Sequence, residues 1–516
     1  MANPVLVVGA GPTGMTAAIE LRRAGFDVRI IDKSDHLAEH SQALVIQART
    51  LEQFQRYGMA AETVAQGRRL DGAKFYSDGK EILHFTLDKV ASRYPFALFI
   101  PQSKTETLLN AKMESLGAKT EREVELTALV QETDAVSAAL RHADGSLEEI
   151  RPRWVIGCDG AHSAVRELSG IPFEGGGVGL SFFLGDLEVE GPDVPKNELT
   201  IHVRHGDLVF MGRLSDRWVR LIVVLHDRQD QDKQDHDNQN ADQPRELTLQ
   251  DFQRAVEHVG VRVVVLGSQW MTPFHVRDMQ AKHYRMGSVF LAGDASHIHS
   301  PVGGQGMNTG IQDAANLVWK MAAVARGAGD GLLNSYEEER GEVGKALLRF
   351  TERGLKMATL SNPILESLRD TFAPLITRLD PVQRAAAGFI SETAIDYRPS
   401  SIVHELGGDG ELRAGDRLPD LTLQGAGTTL LEHWTAPRHL ILVVDETGAA
   451  VDLVRAILPA AEAVSLPFSR FDEEGRRLLG KEPKVLVLRP DGYIGYRGPL
   501  WNIEGLREYA ARDALA

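Results

Sequence analysis

A glycine-rich turn between two short apolar segments limits the folds open to this chain more than any other feature of its sequence. Val5 to Val8 is a continuous apolar run, which is typical of a strand buried on both faces of a parallel sheet. After the turn, a helical pattern runs from Met15 to Arg23 and a second strand pattern from Val28 to Ile31. This order predicts a strand, turn and helix of the dinucleotide-binding type. The turn residues are Gly9, Ala10, Gly11, Pro12, Thr13 and Gly14.

The acidic residue Asp32 closes the second strand pattern, 18 residues beyond Gly14. In dinucleotide-binding folds a carboxylate about 20 residues after the turn holds a ribose hydroxyl. The backbone N–H groups of the turn and of the following helix N-terminus attract a pyrophosphate. A plain glycine-rich turn would leave Asp32 unexplained, so we interpret the segment as a dinucleotide site. The pattern is compatible with both NAD and FAD.

Two later segments repeat the theme of an apolar strand followed by glycine and aspartate. The first runs from Trp154 to Arg166 and contains Asp159. The second begins at Ser288, contains Gly293-Asp294, and leads into a glycine-rich stretch from Pro301 to Asn308. A long amphipathic helix is predicted after it. The three motifs, in this order and spacing, are far more specific together than any one of them alone.

With these motifs the chain resembles the single-component FAD-dependent aromatic hydroxylases, class A flavoprotein monooxygenases that act on phenols and polyketides. The resemblance covers roughly residues 1–400 and includes the segments Ala48–Glu52 and Pro101–Glu106. It implies an α/β fold, in which a Rossmann-type FAD-binding domain is combined with an antiparallel-sheet substrate domain.

The resemblance also implies which residues contact FAD. Asp294 would accept a hydrogen bond from a ribityl hydroxyl, and the backbone N–H groups that begin the helix after Gly304 would face the pyrimidine oxygen of the flavin. A helix N-terminus there would favour the anionic reduced flavin. Gln42 stands where many relatives carry arginine or lysine, so a charge-assisted contact to the pyrophosphate would be lost. The implied cofactor-binding residues are Gly9, Gly11, Pro12, Thr13, Gly14, Asp32, Lys33, Gln42, Arg49, Gln102, Val124, Asp159, Gly293, Asp294, Pro301, Gly304, Gly306, Met307 and Asn308.

The activity implied by the resemblance is hydroxylation of a phenolic or polyketide-like molecule with NAD(P)H and O2, through a flavin C4a-hydroperoxide. The flavin would carry the chemistry, with Pro301 near it, and no catalytic side chain is identified from the sequence. NAD(P)H would bind transiently, because no second complete dinucleotide motif follows. Baeyer–Villiger oxidation, epoxidation, and an FAD-carrying protein that only binds a ligand stay open. A halogenase is disfavoured, since the six tryptophans include no pair spaced by one residue.

The middle of the chain predicts a half-buried antiparallel sheet. Apolar and polar residues alternate between Ser181 and Leu225, and we assign 181–269 to a substrate-binding domain. The polar tract 229–243 is predicted to be a mobile insertion, because it cannot bury enough apolar surface to order itself. Candidate substrate-facing residues, chosen by their position along the strands, are Ile201, Met211, Arg213 and Leu221.

The last part of the chain, 401–516, alternates strand and helix patterns and resembles the thioredoxin-like domain attached to phenol and polyketide hydroxylases. It contains no cysteine, so disulfide exchange is excluded and a role in packing or in a homodimer is left. The FAD-binding domain with a helical extension is then expected to comprise 1–180 and 270–400.

Composition excludes several other classes of function. The formal net charge of -15 disfavours nucleic acid as a partner, since phosphate binding needs an excess of basic residues. No apolar run is long enough for a transmembrane helix, so we expect no membrane association. The single cysteine, Cys158, excludes an internal disulfide and CxxC metal motifs. We therefore expect a cytoplasmic enzyme without a bound metal.

Overall fold

The computed structural model describes residues 3–37, 43–132, 135–226, 247–299, 304–358, 379–424, 428–433 and 435–512. Gln42, Pro301 and the predicted insertion 229–243 lie outside the described residues. None of the helices within these ranges is long and apolar enough to cross a membrane.

The α-helices of the described ranges are α1 (Pro12–Arg23), α2 (Ala48–Tyr57), α3 (Ala60–Gln66), α4 (Gln102–Ser115), α5 (Ala164–Leu168), α6 (Leu249–His258), α7 (Gly306–Ala325), α8 (Asn334–Ala358), α9 (Asp380–Ile390), α10 (Val451–Ile457), α11 (Glu473–Leu479) and α12 (Ile503–Arg512). The strands are β1 (Val5–Val8), β2 (Val28–Asp32), β3 (Val45–Ile46), β4 (Arg68–Leu70), β5 (Gly72–Ser77), β6 (Lys80–Thr86), β7 (Ala97–Phe99), β8 (Thr120–Arg122), β9 (Glu125–Gln131), β10 (Val136–Arg141), β11 (Leu147–Ile150), β12 (Trp154–Gly157), β13 (Phe173–Glu190), β14 (Glu198–Arg204), β15 (Asp207–Arg213), β16 (Trp218–His226), β17 (Val264–Ala281), β18 (Arg285–Met286), β19 (Val289–Leu291), β20 (His297–Ile298), β21 (His404–Glu405), β22 (Thr422–Leu423), β23 (Thr428–Thr429), β24 (Leu440–Val444), β25 (Glu462–Leu466), β26 (Lys484–Leu488) and β27 (Ile494–Pro499).

The first sheet has the parallel core that the N-terminal sequence predicts. Its strand order is β18-β19-β12-β1-β2-β8, and β1 lies between β2 and β12 with both neighbours parallel to it. All four residues of β1 are buried, because α1 and α7 pack over this sheet in one apolar core. The carboxyl ends of β1, β12 and β19 are therefore adjacent, and each of the three sequence motifs begins at one of them.

The second sheet has eight strands in the order β20-β17-β13-β16-β15-β14-β5-β6. It is antiparallel except for the pair β14 and β5. Helix α6 packs on one of its faces, where Phe252 is fully buried. The hairpin of β5 and β6 also belongs to this sheet, although it lies within the segment 1–180 that we expected to form the FAD-binding domain.

The C-terminal sheet has the order β21-β27-β26-β24-β25. Strand β24 is parallel to β25 and antiparallel to β26, and β26 is antiparallel to β27. With α10 and α11 as connections and α12 after the last strand, this is the thioredoxin-like arrangement that the sequence predicts. Its core is not self-contained, because Trp319 and Ala323 of α7 belong to the same apolar cluster as Ile441 and Val443 of β24.

Candidate cofactor site

The glycines of the turn between β1 and α1 fall into two groups: some are required by close protein packing, and one leaves space for a ligand. A Cβ atom on Gly9 would lie 2.4 Å from the Cys158 carbonyl oxygen, and one on Gly14 would lie 1.9 Å from the Gly9 carbonyl oxygen, so close packing requires both glycines. Gly11 differs, because its backbone is extended at φ -77° and a Cβ there would meet no described atom within 4 Å. Packing within the protein therefore does not require glycine at position 11. A ligand that comes close to the backbone would require it, so Gly11 fits the pyrophosphate of a dinucleotide.

Asp32 is fixed at the edge of this turn. Its Oδ2 accepts a hydrogen bond from the Ala10 N–H at 2.6 Å, and its Oδ1 accepts one from the Ser34 N–H at 2.8 Å. The Val124 N–H donates to the Asp32 carbonyl oxygen at 3.0 Å, which places Val124 beside the same strand end. Lys33 is exposed. Each carboxylate oxygen keeps a further lone pair, so Asp32 can still accept a hydrogen bond from a ribose hydroxyl.

Thr13 joins the first motif to the third. A Cβ on Gly293 would lie 2.6 Å from Thr13 Oγ1, and a Cβ on Gly310 would lie 2.3 Å from the same atom. The first turn of α1, the turn at Gly293 and the beginning of α7 are thus in direct contact. The structure brings the two motifs together around one small side chain.

Asp294 follows Gly293 and has the properties of an unused acceptor. Its side chain is exposed, and no described residue donates a hydrogen bond to its carboxylate. The surrounding protein nonetheless desolvates the group, which raises the pKa of Asp294 although His297 opposes the shift. A carboxylate that is open to solvent beside the Gly293 turn, with no hydrogen-bond donor among the described residues, fits the hydroxyl of a bound ligand, as the sequence predicts for a ribityl chain.

The buried ion pair of Asp313 and Arg340 is hydrogen-bonded to the backbone of the Gly293 turn. Asp313 of α7 accepts hydrogen bonds from the Gly293 N–H at 3.0 Å, from His297 Nε2 at 2.8 Å and from Arg340 Nε at 2.5 Å. Burial would raise the pKa of Asp313, but Arg340 and His297 outweigh it and lower the pKa to about 2. Asp313 and Arg340 lie outside the three sequence motifs. The polar residues within the apolar pattern of α7 could have indicated them, because buried polar groups need hydrogen-bond partners.

The N-terminus of α7 lies one helical turn before Gly310, the residue that packs on Thr13. Gln305 precedes the helix, no described side chain caps it, and its first turn contains no acidic residue. The Asn308 side chain is used elsewhere, because its Nδ2 donates to the carbonyl oxygens of Val45 and Gly304, both at 2.8 Å. First-turn N–H groups have no partner within a helix and carry a partial positive charge. The backbone of Gly306, Met307 and Asn308 therefore fits an electron-rich carbonyl such as the flavin pyrimidine oxygen.

The second motif contributes in a different way from the one implied by the resemblance. Asp159 Oδ1 accepts a hydrogen bond from Ser163 Oγ at 2.5 Å, and its Oδ2 accepts one from the Val165 N–H at 3.1 Å. Burial raises the pKa of Asp159 above its ordinary value, although these hydrogen bonds oppose the shift. Arg166 donates through Nη1 to the Ala295 carbonyl oxygen at 3.0 Å. Ser163 is the N-cap of α5, and Asp159 holds Ser163 and the first turn of that helix. Through Arg166 the motif also contacts the segment that follows Gly293.

Arg49 makes its described contacts with Glu52 and with the C-terminal domain. Its Nη1 donates to Glu52 Oε2 at 2.8 Å, its Nη2 bonds the Asp491 carbonyl oxygen, and its guanidinium lies 5.1 Å from the centre of the Tyr493 ring. The side chain is buried in the contact between α2 and the C-terminal domain. The motif resemblance could not reveal these contacts, because Asp491 and Tyr493 are more than 400 residues away in sequence.

Gln102 and Gly304 both contact the segment around the short strand β3. Gln102 begins α4, and its Oε1 accepts a hydrogen bond from the Ala43 N–H at 3.1 Å. Gly304 has φ +63°, and a Cβ there would lie 2.9 Å from Val45 Cβ, so both conformation and space require glycine. Gln102 and Gly304 thus flank the short strand β3 near the start of α7.

The four candidate substrate residues do not share one face of the second sheet. Met211 pairs with Leu221, and both are fully buried against α6. Arg213, two residues after Met211 on the same strand, faces that side as well. Ile201 pairs with Phe210 on the opposite face. The prediction is therefore wrong in placing the four residues together, because both sheet faces are apolar and alternation alone does not indicate which one faces the cofactor.

Contacts identify the face of Ile201 as the one directed toward α7. A Cβ on Gly212 of that face would lie 2.1 Å from Phe99 Cε2. Phe99 pairs with Val45 across β3 and β7, and Val45 contacts Gly304 and Asn308 as described above. The space between this sheet face and the N-terminus of α7 is thus bounded by apolar side chains on one side and by uncapped N–H groups on the other.

Comparison with known proteins agrees with this arrangement. The family described as FAD binding domain matches residues 2–351. Anhydrotetracycline monooxygenase of Streptomyces rimosus is 33% identical over 98% of this chain and 98% of its own length. Pentachlorophenol 4-monooxygenase of Sphingobium chlorophenolicum is 32% identical over 96% of this chain and 94% of its own length. The solved structure of an anhydrotetracycline hydroxylase from Streptomyces rimosus superposes with a TM-score of 0.81 at 30% identity and covers 100% of both chains.

Proposed function

Because this chain belongs to the FAD binding domain family of aromatic and polyketide monooxygenases, we propose that it hydroxylates a small phenolic or polyketide-like molecule with FAD, NAD(P)H and O2. The reaction inserts one oxygen atom of O2 into an aromatic C–H bond and reduces the other oxygen atom to water. NAD(P)H supplies the two electrons and leaves as NAD(P)+. When bound, FAD supplies the redox chemistry between NAD(P)H, O2 and the substrate.

The observation that carries the proposal is the convergence of three unsatisfied features on one space. The extended Gly11 backbone leaves room for a pyrophosphate, and the Asp294 carboxylate has no described protein partner. No side chain within the described ranges caps the N-terminus of α7. These features match the phosphate, ribityl and pyrimidine parts of FAD in that order. The cofactor-binding residues that we propose are those of the sequence analysis, with Arg49 assigned instead to the C-terminal contact and Asp159 to the first turn of α5.

We propose that the substrate lies on the sheet face that carries Ile201 and Phe210. This face is apolar, and Phe99 connects it to the start of α7, so a planar apolar ring would be desolvated beside the pyrimidine end of the flavin. At the end of the same face, Arg220 and Asp186 form a buried ion pair, and Trp270 donates to Asp186 Oδ2 at 2.8 Å. Because Arg220 and Asp186 are paired with each other, the apolar side chains form the main surface that recognises the substrate.

Stimulated oxidation of NAD(P)H tests the activity. Purified protein with bound FAD is incubated with NADH or NADPH, air and a panel of phenols and fused-ring polyketides, and products are analysed by mass spectrometry in 18O2. A substrate should stimulate NAD(P)H oxidation and gain one labelled oxygen atom. A tightly bound ligand that returns unchanged would support an FAD-carrying binding protein, and a lactone or epoxide product would support the other oxygenations.

The remaining proposals concern location and partners. The single cysteine, Cys158, is buried, and its pKa is raised well above the usual value mainly by burial, which suits a protein of the reducing cytoplasm. The net charge of -15 supports the absence of nucleic acid among its partners. A homodimer stays a prediction, and sedimentation velocity at micromolar concentration would test it.

A further inference from the structure

A buried group of two acids and two bases links the C-terminal domain to the helices behind the cofactor site. Arg489 donates through Nη1 to Glu339 Oε1 at 2.6 Å and through Nε to Asp491 Oδ1 at 3.1 Å. Lys320 Nζ lies 2.8 Å from Glu339 Oε2. The four side chains are at most 3% exposed and their charges balance. Such a group is stable only while all of its members are in place, because removing one leaves a buried charge unpaired.

Within this group, which includes Lys320 of α7 itself, Asp491 is the acceptor that the C-terminal domain offers to other side chains of α7. Its Oδ2 accepts a hydrogen bond from Asn316 Nδ2 at 3.0 Å and another from Trp319 Nε1 at 3.1 Å. The Trp319 ring also lies in the apolar core of the C-terminal domain. The middle turns of α7 are therefore held by a side chain from the other end of the sequence.

The same helix carries the parts of the candidate site that face the flavin. Its first turn contains Gly306, Met307 and Asn308, and Asp313 in its second turn holds the Gly293 N–H. Asn316 is eight residues beyond Asn308, about 12 Å at a rise of 1.5 Å per residue. Because α7 is one continuous helix, a displacement at Asn316 moves the first-turn N–H groups as well.

The Asp491 turn also touches the element that faces α7 across the site. Its carbonyl oxygen accepts a hydrogen bond from Arg49 of α2, and a Cβ on Gly492 would lie 2.7 Å from Arg49 Nη2. Helix α2 directly follows β3, whose Val45 carbonyl oxygen accepts a hydrogen bond from Asn308. One turn of the C-terminal domain thus holds both elements that border the pyrimidine end of the proposed flavin site.

We propose that Asp491 is a positioning residue for the flavin, since by holding Asn316 and Trp319 it sets the place of the α7 N-terminus against the pyrimidine ring. The inference rests on the proposed function, because it needs FAD at this site. A correctly placed helix N-terminus stabilises negative charge on the bound flavin, so the position of α7 controls the reduction potential as well as the affinity.

The test compares full-length wild type with the variants Asp491→Asn and Trp319→Phe. The first variant keeps the shape of the side chain and removes its charge, and the second removes only the indole N–H donor. The matched control is Glu432→Gln, because the pair of Arg93 and Glu432 joins the same two domains without contacting α7. The readouts are the visible circular dichroism of bound FAD, its dissociation constant and its two-electron midpoint potential.

We expect Asp491→Asn to weaken FAD binding at least tenfold and to make the midpoint potential more negative by about 30 mV, the two-electron equivalent of a tenfold change. Trp319→Phe should shift the potential and the dichroism in the same direction by less, and Glu432→Gln should leave both as in wild type. If Asp491→Asn does not fold, the potential and dichroism of Trp319→Phe alone test the inference. Wild-type potential and dichroism in Trp319→Phe, or equal shifts in the Glu432→Gln control, would overturn the inference. Wild-type protein that binds no FAD would instead contradict the proposed function.

Discussion

Replacing Asp313 with Asn would test whether the ion pair behind the Gly293 turn holds the cofactor site together. The substitution keeps the size of the side chain but removes the charge that faces Arg340 at 2.5 Å. Both side chains of this pair are 0% exposed, so solvent cannot replace the lost partner. Arg340 would stay buried as an uncompensated cation, and the Gly293 N–H and His297 would face a weaker acceptor.

The expected loss follows from these contacts. Breaking a buried pair by removing one partner costs about 3–5 kcal/mol of unfolding free energy. Arg340 keeps hydrogen bonds to Tyr397 Oη at 2.9 Å and to the Thr309 carbonyl oxygen at 3.0 Å, which favours the lower end, about 3 kcal/mol. FAD affinity should fall as well, because Asp294 adjoins the turn that Asp313 holds.

The variant should also change the response to acid. The pKa of Asp313 is lowered from 3.8 to about 2, so its ionised form stabilises the folded protein fully above pH 3.8 and progressively less as the pH falls toward 2. Between pH 5 and pH 3 the wild type should lose about 1 kcal/mol of unfolding free energy through this group. Asn does not titrate, so the stability of Asp313→Asn should depend less steeply on pH in this interval.

Urea unfolding followed by far-ultraviolet circular dichroism and by FAD fluorescence measures both effects, at pH 7 and along a series from pH 5 to pH 3. The control is Glu342→Gln, which removes an exposed ion pair with Lys345 and should change the unfolding free energy by less than about 0.5 kcal/mol. An Asp313→Asn protein within about 1 kcal/mol of wild type at pH 7, with an unchanged pH slope, would refute the reasoning.

Four further expectations follow from the site and the sheet. Asp294→Ala should weaken FAD binding by about 1–3 kcal/mol in equilibrium dialysis, and unchanged affinity would show that its carboxylate does not contact the cofactor. Gly11→Ala should strongly weaken FAD binding and leave the far-ultraviolet circular dichroism unchanged, because a Cβ at this position meets no described protein atom within 4 Å. Retained FAD affinity would contradict the pyrophosphate assignment. Met211→Ala should cost about 2–5 kcal/mol of stability with an unaltered substrate preference, since Met211 packs against α6, and a changed preference would place it in the substrate space. Deletion from residue 410 should give an aggregated or strongly destabilised protein, because Glu339 would lose both hydrogen bonds from Arg489 and keep only those from Lys320, Asn316 and Ser400. A truncated protein as stable as wild type would show that the buried group is dispensable.

Local chemistry made much of the fold predictable. The order of strand, turn and helix around Gly9 to Gly14 requires short-range geometry only, and the structure confirms it together with the parallel sheet. The alternating strands of the second sheet were predictable for the same reason, whereas the thioredoxin-like order of the C-terminal sheet was implied by the family resemblance. The choice of sheet face was not, because Ile201 and Met211 have the same apolar character and differ only in what packs against them.

Long-range partners account for what the sequence could not reveal at the site. Arg49 stands in a motif that resembles a cofactor-binding segment, yet its guanidinium is held by Glu52 and by the turn at Asp491. The acidity of Asp313 was visible in the sequence, but its partner Arg340 is on another helix and neither residue belongs to a recognised motif. A motif thus identifies where a ligand comes close to the backbone, and it does not identify which side chains hold that backbone in place.

The buried charges give the C-terminal domain a physical role that its lack of cysteine leaves open. A domain that only adhered to the surface would need a solvent-exposed interface, with charges that stay hydrated when the domain leaves. Here Glu339 and Lys320 are both 0% exposed, and Arg489 from the C-terminal domain donates two hydrogen bonds to Glu339. Separation of the domains would leave Arg489 without that acceptor and open the apolar cluster that Trp319 shares with β24. The domain is therefore part of the structure that holds α7, and α7 is the helix whose N-terminus faces the proposed flavin.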